Sequence, residues 1–311
     1  MRIVVGVDGS SASLTALGLV TSTAWPAGTQ IRLVTASELP VDRSGMARTS
    51  SAIALDGAKH GGLDSLHRLA ERLRHNGYPT ETVIVRGRPA DILLAEANAL
   101  RADLIIVGSR GLGVTASALL GSVSAALVDH APCPVLVARG EAVTRILLAT
   151  DGSRSSEAIP SVLLAWGIFR DAPIDVLSVA PPSGMGEVPF LVAGLVSGGQ
   201  RLADARHEVD RYRVMADEMA ARLTAGGWHA NAMVRAGEAA QEIEAAAAEW
   251  GDDLIITGSR GLSGLGRLLL GSVAHHVLLH SRGSVLVMRG HVPAPQTAAY
   301  GPALVTPLGR S

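Results

Sequence analysis

Short runs of apolar, often β-branched residues alternate with longer amphipathic segments along this chain of 311 residues. The short runs are too brief for helices and suit buried strands. They predict strands at 3–7, 31–36, 81–86, 104–107 and 135–138, and again at 146–150, 174–180, 230–235, 254–257 and 285–288. Because the runs are largely apolar, both faces of each strand are expected to be buried.

The segments between these strands predict helices. In the first part of the chain they are expected at 11–23, 63–76, 90–100 and 119–130, and the second part gives the same series. Strands that alternate with helices predict an α/β fold, in which a parallel sheet carries helices on both faces.

The chain repeats itself at an offset of 150 positions. Residues 104–113 read LIIVGSRGLG and residues 254–263 read LIITGSRGLS. Near the start of each copy the offset is 143, because VDGS at 7–10 pairs with TDGS at 150–153. The second copy therefore carries a net insertion, which we place at 181–200. We therefore predict two duplicated domains, 1–140 and 141–290, followed by a disordered tail at 291–311 that is rich in Pro, Ala and Gly.

Composition narrows the function classes. The net charge is −1 and aromatic residues make up 3% of the chain, so a nucleic-acid partner is not expected. The single cysteine, Cys133, excludes an internal disulfide and cysteine-rich metal sites. The sequence shows neither a signal segment nor an apolar stretch of membrane-spanning length, so we expect a soluble cytoplasmic protein without a membrane partner.

Glycines at fixed spacings follow the fourth strand of each copy, and an aspartate follows the first. The candidate site residues are Asp8, Gly108, Gly111, Gly121 and Ser122 in the first copy, and Asp151, Gly258, Gly261, Gly271 and Ser272 in the second. Ligands of open parallel sheets bind beyond the carboxyl ends of the strands, where these residues are predicted to meet. Glycine allows a close backbone approach and a positive φ, and a helix that begins after Gly121 or Gly271 offers free amides to an anion.

The same residues admit other interpretations. The glycines alone would also suit turns and helix caps, but the same two-residue and nine-residue spacings in both copies favour a nucleotide site. Lys59 is the only lysine, which excludes a Walker-type phosphate loop. A dinucleotide fingerprint at 111–116 is discounted because it follows the fourth strand and is broken in the second copy. Arg110 and Arg260 have two equally favoured interpretations: each contacts a phosphate, or each is simply a solvent-exposed loop residue.

Three histidines resemble a metal cluster. His275, His276 and His280 lie on one predicted helix, and the first copy has only His130 at the position of His280. A surface or packing role is favoured over zinc. The sequence contains no recognisable Ser-His-Asp arrangement, so no catalytic residue is assigned.

The doubled Gly-2x-Gly-9x-Gly-Ser signature, with VDGS after the first strand and PVLV in the last, resembles the universal stress protein family in its tandem, ATP-binding branch. The resemblance implies two Rossmann-like (adenine nucleotide alpha hydrolase-like) domains, each with a five-stranded parallel sheet of order 3-2-1-4-5. It implies that each site binds ATP and Mg²⁺. In this arrangement Asp8 and Asp151 lie on the ribose and metal side, and the glycines and serines hold the ribose and phosphates. The backbone near Ala36 and Val179 faces adenine. It also implies that the last strands pair the two halves or join chains into a homodimer.

One departure distinguishes the copies. The loop after Gly111 lacks the arginine and one glycine that the second copy has at Arg267 and Gly266, so the second copy is the safer nucleotide site. We expect a nucleotide-dependent stress-response regulator. The alternatives are a slow Mg²⁺-dependent ATPase and a nucleotide-free dimerising scaffold.

Overall fold

A computed structural model describes residues 1–37, 58–111, 120–182, 198–259 and 270–289, excluding the side chains of 37, 58–65, 198–206 and 208. Gly261, Arg260 and Arg267 lie outside the described residues. So do most of the 181–200 insertion and the 291–311 tail.

The first half follows the predicted series of strands and helices. Its elements are β1 (Arg2–Gly6), α1 (Ser11–Ser22), β2 (Gln30–Ser37), α2 (Ala58–His75), β3 (Thr80–Arg86), α3 (Pro89–Leu100), β4 (Leu104–Gly108), α4 (Ser122–His130) and β5 (Val135–Ala138). Helix α4 begins three residues later than predicted, because Gly121 has an extended backbone (φ −76°, ψ 152°) and forms its N-cap.

The second half repeats the series with one change. Its elements are β6 (Ile146–Thr150), α5 (Arg154–Glu157), α6 (Ile159–Trp166), β7 (Ile174–Ala180), α7 (Gly198–Ala225), β8 (Ala230–Ala236), α8 (Ala239–Trp250), β9 (Leu254–Gly258), α9 (Ser272–His280) and β10 (Ser284–Met288). The first helix of this half is divided into α5 and α6, and Pro160 occupies the first turn of α6. Proline is tolerated there because the first amides of a helix have no intrahelical partner.

The ten strands form one sheet in the order β3-β2-β1-β4-β5-β10-β9-β6-β7-β8. Each half by itself has the predicted order 3-2-1-4-5, and all of its strand pairs are parallel. The two five-stranded sheets are continuous, which is one of the two arrangements that the resemblance implied. Strand β5 pairs antiparallel with β10, with Leu136 opposite Leu286, and we call this pair the seam.

The seam corrects the expected homodimer through the last strand of a domain. Strand β5 lies between β4 and β10, and β10 lies between β5 and β9, so neither strand has a free edge for another chain. The structure thus has the other arrangement that the sequence left open, in which the last strands pair the two halves. Because the seam is antiparallel, the carboxyl ends of β1–β5 and of β6–β10 lie at opposite edges of the sheet.

Both faces of the central strands are buried, as the apolar runs predict, but the edge strands β3 and β8 are mostly half-buried or exposed, so the prediction is wrong for them. Neighbouring residues of β1 alternate between two clusters: Ile3 and Val5 pack on one face, and Val4 on the other. Helices α1 and α2 cover the first face, while α3 and α4 cover the second. Among the helices that the structure describes, none is both long and apolar enough to cross a membrane.

Candidate functional site

A cavity of about 420 Å³ lies at the carboxyl ends of the strands in the second half. It brings together five of the six predicted residues of this half, namely Asp151, Val179, Gly258, Gly271 and Ser272. The sixth, Gly261, lies outside the described residues. The volume falls in the range of small-molecule pockets, and the position beyond the strand ends is the one predicted.

Asp151 is held in a fixed orientation by the turn after β6. Its Oδ1 accepts hydrogen bonds from the Ser153 amide (2.9 Å) and from Ser156 Oγ (3.0 Å). Its Oδ2 has no hydrogen bond within the described residues. Asp151 therefore lines the cavity with one of its two carboxylate oxygens committed to the turn.

The start of α9 forms a second polar wall. Gly271 is the N-cap, and as a glycine it has no side chain that could bond the free amides of the first turn. Ser272 and Val273 of that turn line the cavity. An uncapped helix N-terminus in a cavity is suited to an anion, because its amides and its dipole both favour negative charge.

One detail of the predicted anion site is corrected. The Gly271 amide donates to the Ser259 carbonyl (2.8 Å), and the Gly121 amide donates to the Ser109 carbonyl (2.7 Å). These two amides are therefore committed to backbone partners. In each half the amides available to an anion are those that follow the glycine in the helix.

The conformational argument for the glycines is also corrected. Positive φ angles occur at Gly9 and Gly152, directly after the two aspartates, and not at the predicted glycines that the structure describes. A Cβ on Gly108 would lie 2.5 Å from the backbone of Ala12, and one on Gly258 would lie 2.7 Å from Ser155 Oγ. These two glycines allow a helix to pack closely on the end of a strand.

An apolar wall completes the second-half cavity. It is formed by Ala149, Leu177, Val179 and Ile243. Val179 is half-buried near the end of β7, where the sequence placed a contact with adenine. A flat apolar ring fits between such side chains, whereas a phosphate does not, so the cavity has an apolar end and a polar end.

The first half brings its predicted residues together differently. Asp8 Oδ1 accepts from the Ser10 amide (2.9 Å), which repeats the turn seen at Asp151. Gly111 lies beside this carboxylate, because a Cβ there would be 2.8 Å from Asp8 Oδ2. Ser122 is exposed at the start of α4, and Ala36 is half-buried near the end of β2, next to a loop outside the described residues.

A cavity also adjoins the first-half glycine loop, but it lies toward the second half. Its wall is formed by Ser10–Ala12, Thr15, Ser109–Gly111 and Arg139, together with Leu279, Ser281 and Arg282. Arg110 is one of these residues, and burial, assisted by the charge of Arg110, lowers the pKa of Arg139 to about 10. The guanidinium of Arg139 donates to the carbonyls of Gly283 and Leu278 and so connects the halves beside the seam.

Several residues around the site are missed by the sequence argument. Tyr212 of α7 and Glu238 at the start of α8 both line the second-half cavity. Neither belongs to a motif, and both reach the cavity from helices that other strands position. Gly87 and Gly237 occupy matching positions in the two halves, have a positive φ and lie in the turns before α3 and α8. Because Gly237 directly precedes Glu238, this repeat was the signal in the sequence that could have identified Glu238.

Comparison with known proteins agrees with this architecture. The universal stress protein family matches residues 1–139 and 142–289. A universal stress protein of Thermus aquaticus is 46% identical over 71 residues, which are 22% of this chain and 52% of that protein. One from Mycobacterium tuberculosis is 29% identical over 195 residues, 60% of this chain and 62% of its own length. The matches therefore span between about half and two thirds of these two relatives.

Solved structures resemble the whole described fold. A universal stress protein from Archaeoglobus fulgidus superposes with a TM-score of 0.61 at 19% identity, covering 93% of this chain and 98% of that one. A putative universal stress protein from Pseudomonas aeruginosa gives 0.56 at 19% identity, with 92% of each chain covered. At such identities the likeness shows the fold. Because the family matches both halves over nearly the entire length, the chain belongs to the universal stress protein family.

Proposed function

We propose that the second half of this chain binds ATP with Mg²⁺, and that its occupancy regulates a stress response in the cytoplasm. The observation that carries the proposal is the single cavity in which Asp151, Val179, Gly258, Gly271 and Ser272 converge. These residues come from the ends of β6, β7 and β9 and from the start of α9.

The apolar end of the cavity suits the adenine ring. Leu177 and Val179 lie on β7 and Ile243 lies on α8, so the ring would be held between a strand end and a helix. Burying an apolar surface gains roughly 25 cal/mol per Å², which makes this end the main source of affinity for the base.

The polar end suits the phosphates. The uncapped first turn of α9 offers backbone amides, and the Ser272 hydroxyl can add a further donor. Each helix-terminus contact contributes about 0.3–1 kcal/mol, so several must act together on one phosphate group. We expect the triphosphate to bind more tightly than the monophosphate for this reason.

Asp151 suits the metal. Mg²⁺ is typically bound by one or two carboxylates, phosphate oxygens and water, and the free Oδ2 of Asp151 provides one such oxygen. The ion would neutralise phosphate charge. The Ser153 and Ser156 hydrogen bonds fix the carboxylate, so it need not reorient when the ion arrives.

The first half is proposed as a second and weaker site. It has the same aspartate turn at Asp8 and the same uncapped helix start at Gly121 and Ser122. Regulation requires that ATP binds two conformations of the protein with different affinity. Two sites at opposite edges of the sheet would let the halves respond separately.

Mass spectrometry of the untagged chain purified under native conditions tests the proposal. Bound ATP with Mg²⁺ is the expected result. Bound ADP or AMP, rising with time after ATP is added, would instead indicate the slow ATPase. Protein that remains free of nucleotide in millimolar Mg-ATP would favour the scaffold and overturn the proposal.

A pair of matched variants tests the location. Gly271→Val should lower ATP affinity at least tenfold by placing a side chain at the phosphate end, while Gly121→Val should leave the second-half affinity unchanged. Gly271 has φ −64° and ψ 149°, which valine also adopts, so backbone strain is not introduced. Unchanged ATP affinity in a folded Gly271→Val variant, with circular dichroism as the control, would refute the assignment.

A further inference from the structure

Two helices of the second half bring three metal-binding side chains together. Glu244 lies on α8, and His276 and His280 lie one turn apart on α9. Their ligand atoms all lie within 4.8 Å of one another. The histidine spacing alone favoured a surface or packing role. The structure adds a carboxylate from another helix, 32 positions earlier in the chain.

The distances are close to those of a metal site. His276 Nε2 lies 3.6 Å and His280 Nδ1 lies 3.9 Å from Glu244 Oε1. A tetrahedral ion with bonds of about 2.0–2.1 Å needs ligand atoms roughly 3.3 Å apart. Glu244 Oε1 and His276 Nε2 are therefore nearly in place, and His280 offers a third ligand atom within 4.8 Å of both residues' ligand atoms.

One oxygen of the Glu244 carboxylate lacks a hydrogen-bond partner among the described residues. This oxygen, Oε1, is fully buried. An unpaired buried oxygen of this kind costs free energy unless a cation or a donor satisfies it. The atom faces the two imidazoles, and a metal ion shared among the three would satisfy it.

Hydrogen bonding selects the metal-binding nitrogen of His280. Nδ1 lies 2.9 Å from the His276 carbonyl oxygen, which can only accept, so Nδ1 carries the proton and Nε2 carries the free lone pair. A histidine that is fixed by its other ring nitrogen is the usual arrangement in metal sites. The rings of His276 and His280 are also stacked, with centroids 4.2 Å apart.

The first half supplies an internal comparison. Leu94, Ala126 and His130 occupy the three corresponding positions. His130 makes the same bond through Nδ1 to the carbonyl of Ala126 (3.0 Å), so this bond is part of the shared fold. The carboxylate and the second histidine are present only in the second half.

Charge around the cluster favours a cation. Glu244 and His280 line a cavity of about 530 Å³ that Asp252 also lines, and both Asp252 carboxylate oxygens lack a hydrogen bond within the described residues. Arg145 Nε lies 3.4 Å from Asp252 Oδ1, and Arg282 is the arginine in the cavity wall. Apart from the Arg145 ion pair, the buried oxygens of these two acidic side chains have no hydrogen bond among the described residues.

We propose that Glu244, His276 and His280 bind one divalent transition-metal ion of the Zn²⁺ class between α8 and α9. Two imidazoles and one carboxylate are a ligand set that zinc accepts, with the fourth position open to water. The proposal stands independently of nucleotide binding, because none of the three residues lines the cavity at the strand ends.

Calorimetric titration of the untagged, full-length chain with Zn²⁺ tests this site. We expect one ion per chain with micromolar affinity, and at least a tenfold loss of affinity in His276→Ala and in His280→Ala. His275→Ala is the matched control, because this exposed neighbour on the same helix is outside the cluster. Burial raises the pKa of the one thiol, Cys133, to about 12, so a thiolate does not compete for the ion.

Two further measurements keep the outcome decisive. Glu244→Gln keeps the shape of the side chain and should also lower Zn²⁺ affinity, whereas a mere packing role for the histidines predicts no dependence on Glu244 charge. Visible absorption of the Co²⁺-loaded chain should show tetrahedral bands without thiolate charge transfer. Zn²⁺ affinity weaker than millimolar, or an equal loss in His275→Ala and His276→Ala, would overturn the proposal.

Discussion

The two halves share one glycine pattern but pack it differently. In the first half, a single helix α1 presses its backbone against the end of β4, and Gly108 provides the space. In the second half, the helix is divided into α5 and α6, and Gly258 faces the hydroxyl of Ser155 instead. The same glycine signature therefore accompanies a tight backbone contact in the first half. In the second half it accompanies a looser contact with a polar side chain, beside a ligand-sized cavity.

This difference shows that a glycine motif has two functions that sequence cannot separate. Gly108 and Gly258 allow a helix to approach a strand, while Gly121 and Gly271 start a helix without a capping side chain. Only the second function leaves amides available to a ligand. The four predictions below test the comparison, beginning with the largest expected effect.

Gly108→Ala should destabilise the protein by about 3 kcal/mol, because its Cβ would lie 2.5 Å from the Ala12 backbone, which can move only with the helix. Gly258→Ala should cost about 1 kcal/mol, because the Ser155 side chain can rotate away. Urea unfolding of both variants measures the difference. Equal midpoints would show that the two helix contacts do not differ in tightness.

Asp252→Asn should stabilise the protein at pH 8 and have little effect near pH 4. Burial, with Asp175 nearby, raises the Asp252 pKa to about 7, against the opposing effect of Arg145. Since the folded-state pKa lies above the unfolded one, stability is greatest below the unfolded pKa and is lost as pH rises toward 7. One pKa unit corresponds to about 1.4 kcal/mol, so we expect a gain of at least that size at pH 8.

Thermal melting at several pH values measures this effect. The first half has Ala102 at the corresponding position, and Ala102→Ser, which introduces no titrating group, serves as the control. The prediction would be contradicted if the stability difference between Asp252→Asn and the parent chain were the same at pH 4 and at pH 8.

Asp151→Asn should weaken ATP binding about tenfold, or roughly 1.4 kcal/mol, when Mg²⁺ is present. The loss should be much smaller in excess EDTA, because the carboxylate then has no ion to hold. Asp8→Asn is the matched change in the first half and should leave the tighter site intact. Calorimetry with and without Mg²⁺ separates these cases, and an equal loss under both conditions would assign Asp151 a role other than metal binding.

Ser156→Ala should have the smallest effect, a two- to tenfold loss of Mg-ATP affinity. Ser156 Oγ lies 3.0 Å from both Asp151 Oδ1 and the Ser153 carbonyl oxygen, and a hydrogen bond to the carboxylate contributes about 0.5–1.5 kcal/mol. Its counterpart Ser13 donates to the Ser10 carbonyl (2.9 Å), so Ser13→Ala should not alter ATP affinity. A larger effect from Ser13→Ala would reverse the assignment of the stronger site.

Most of the fold was predictable because each strand is a short apolar run. The bounds of β5, β6 and β7 agree with the sequence prediction, β1 and β2 differ by one residue at both ends, and the others differ by one residue at one end. The strand order within each half also followed from the family resemblance. The division between α5 and α6 was missed, because Ser153–Pro160 contains both a helix start and a proline that a helix accepts only in its first turn.

The site was predictable in part. Asp151, Gly271 and Ser272 are found together because residues after neighbouring parallel strands meet at one edge. The hydrogen bonds of the glycine amides could not be predicted, since they depend on how the loop returns to Ser109 or Ser259. The Glu244 cluster also escaped the sequence argument, because only the packing of α8 on α9 brings Glu244 to the histidines.

The seam has a consequence for dilute solution. Only residues 139–145 connect β5 to β6, so the two halves that meet at the seam are covalently joined by a short linker. Their association is intramolecular, and its effective concentration is set by that tether and not by the amount of protein. An assembly of two separate chains loses stability as it is diluted, whereas this one keeps its central strand pair at any cellular abundance.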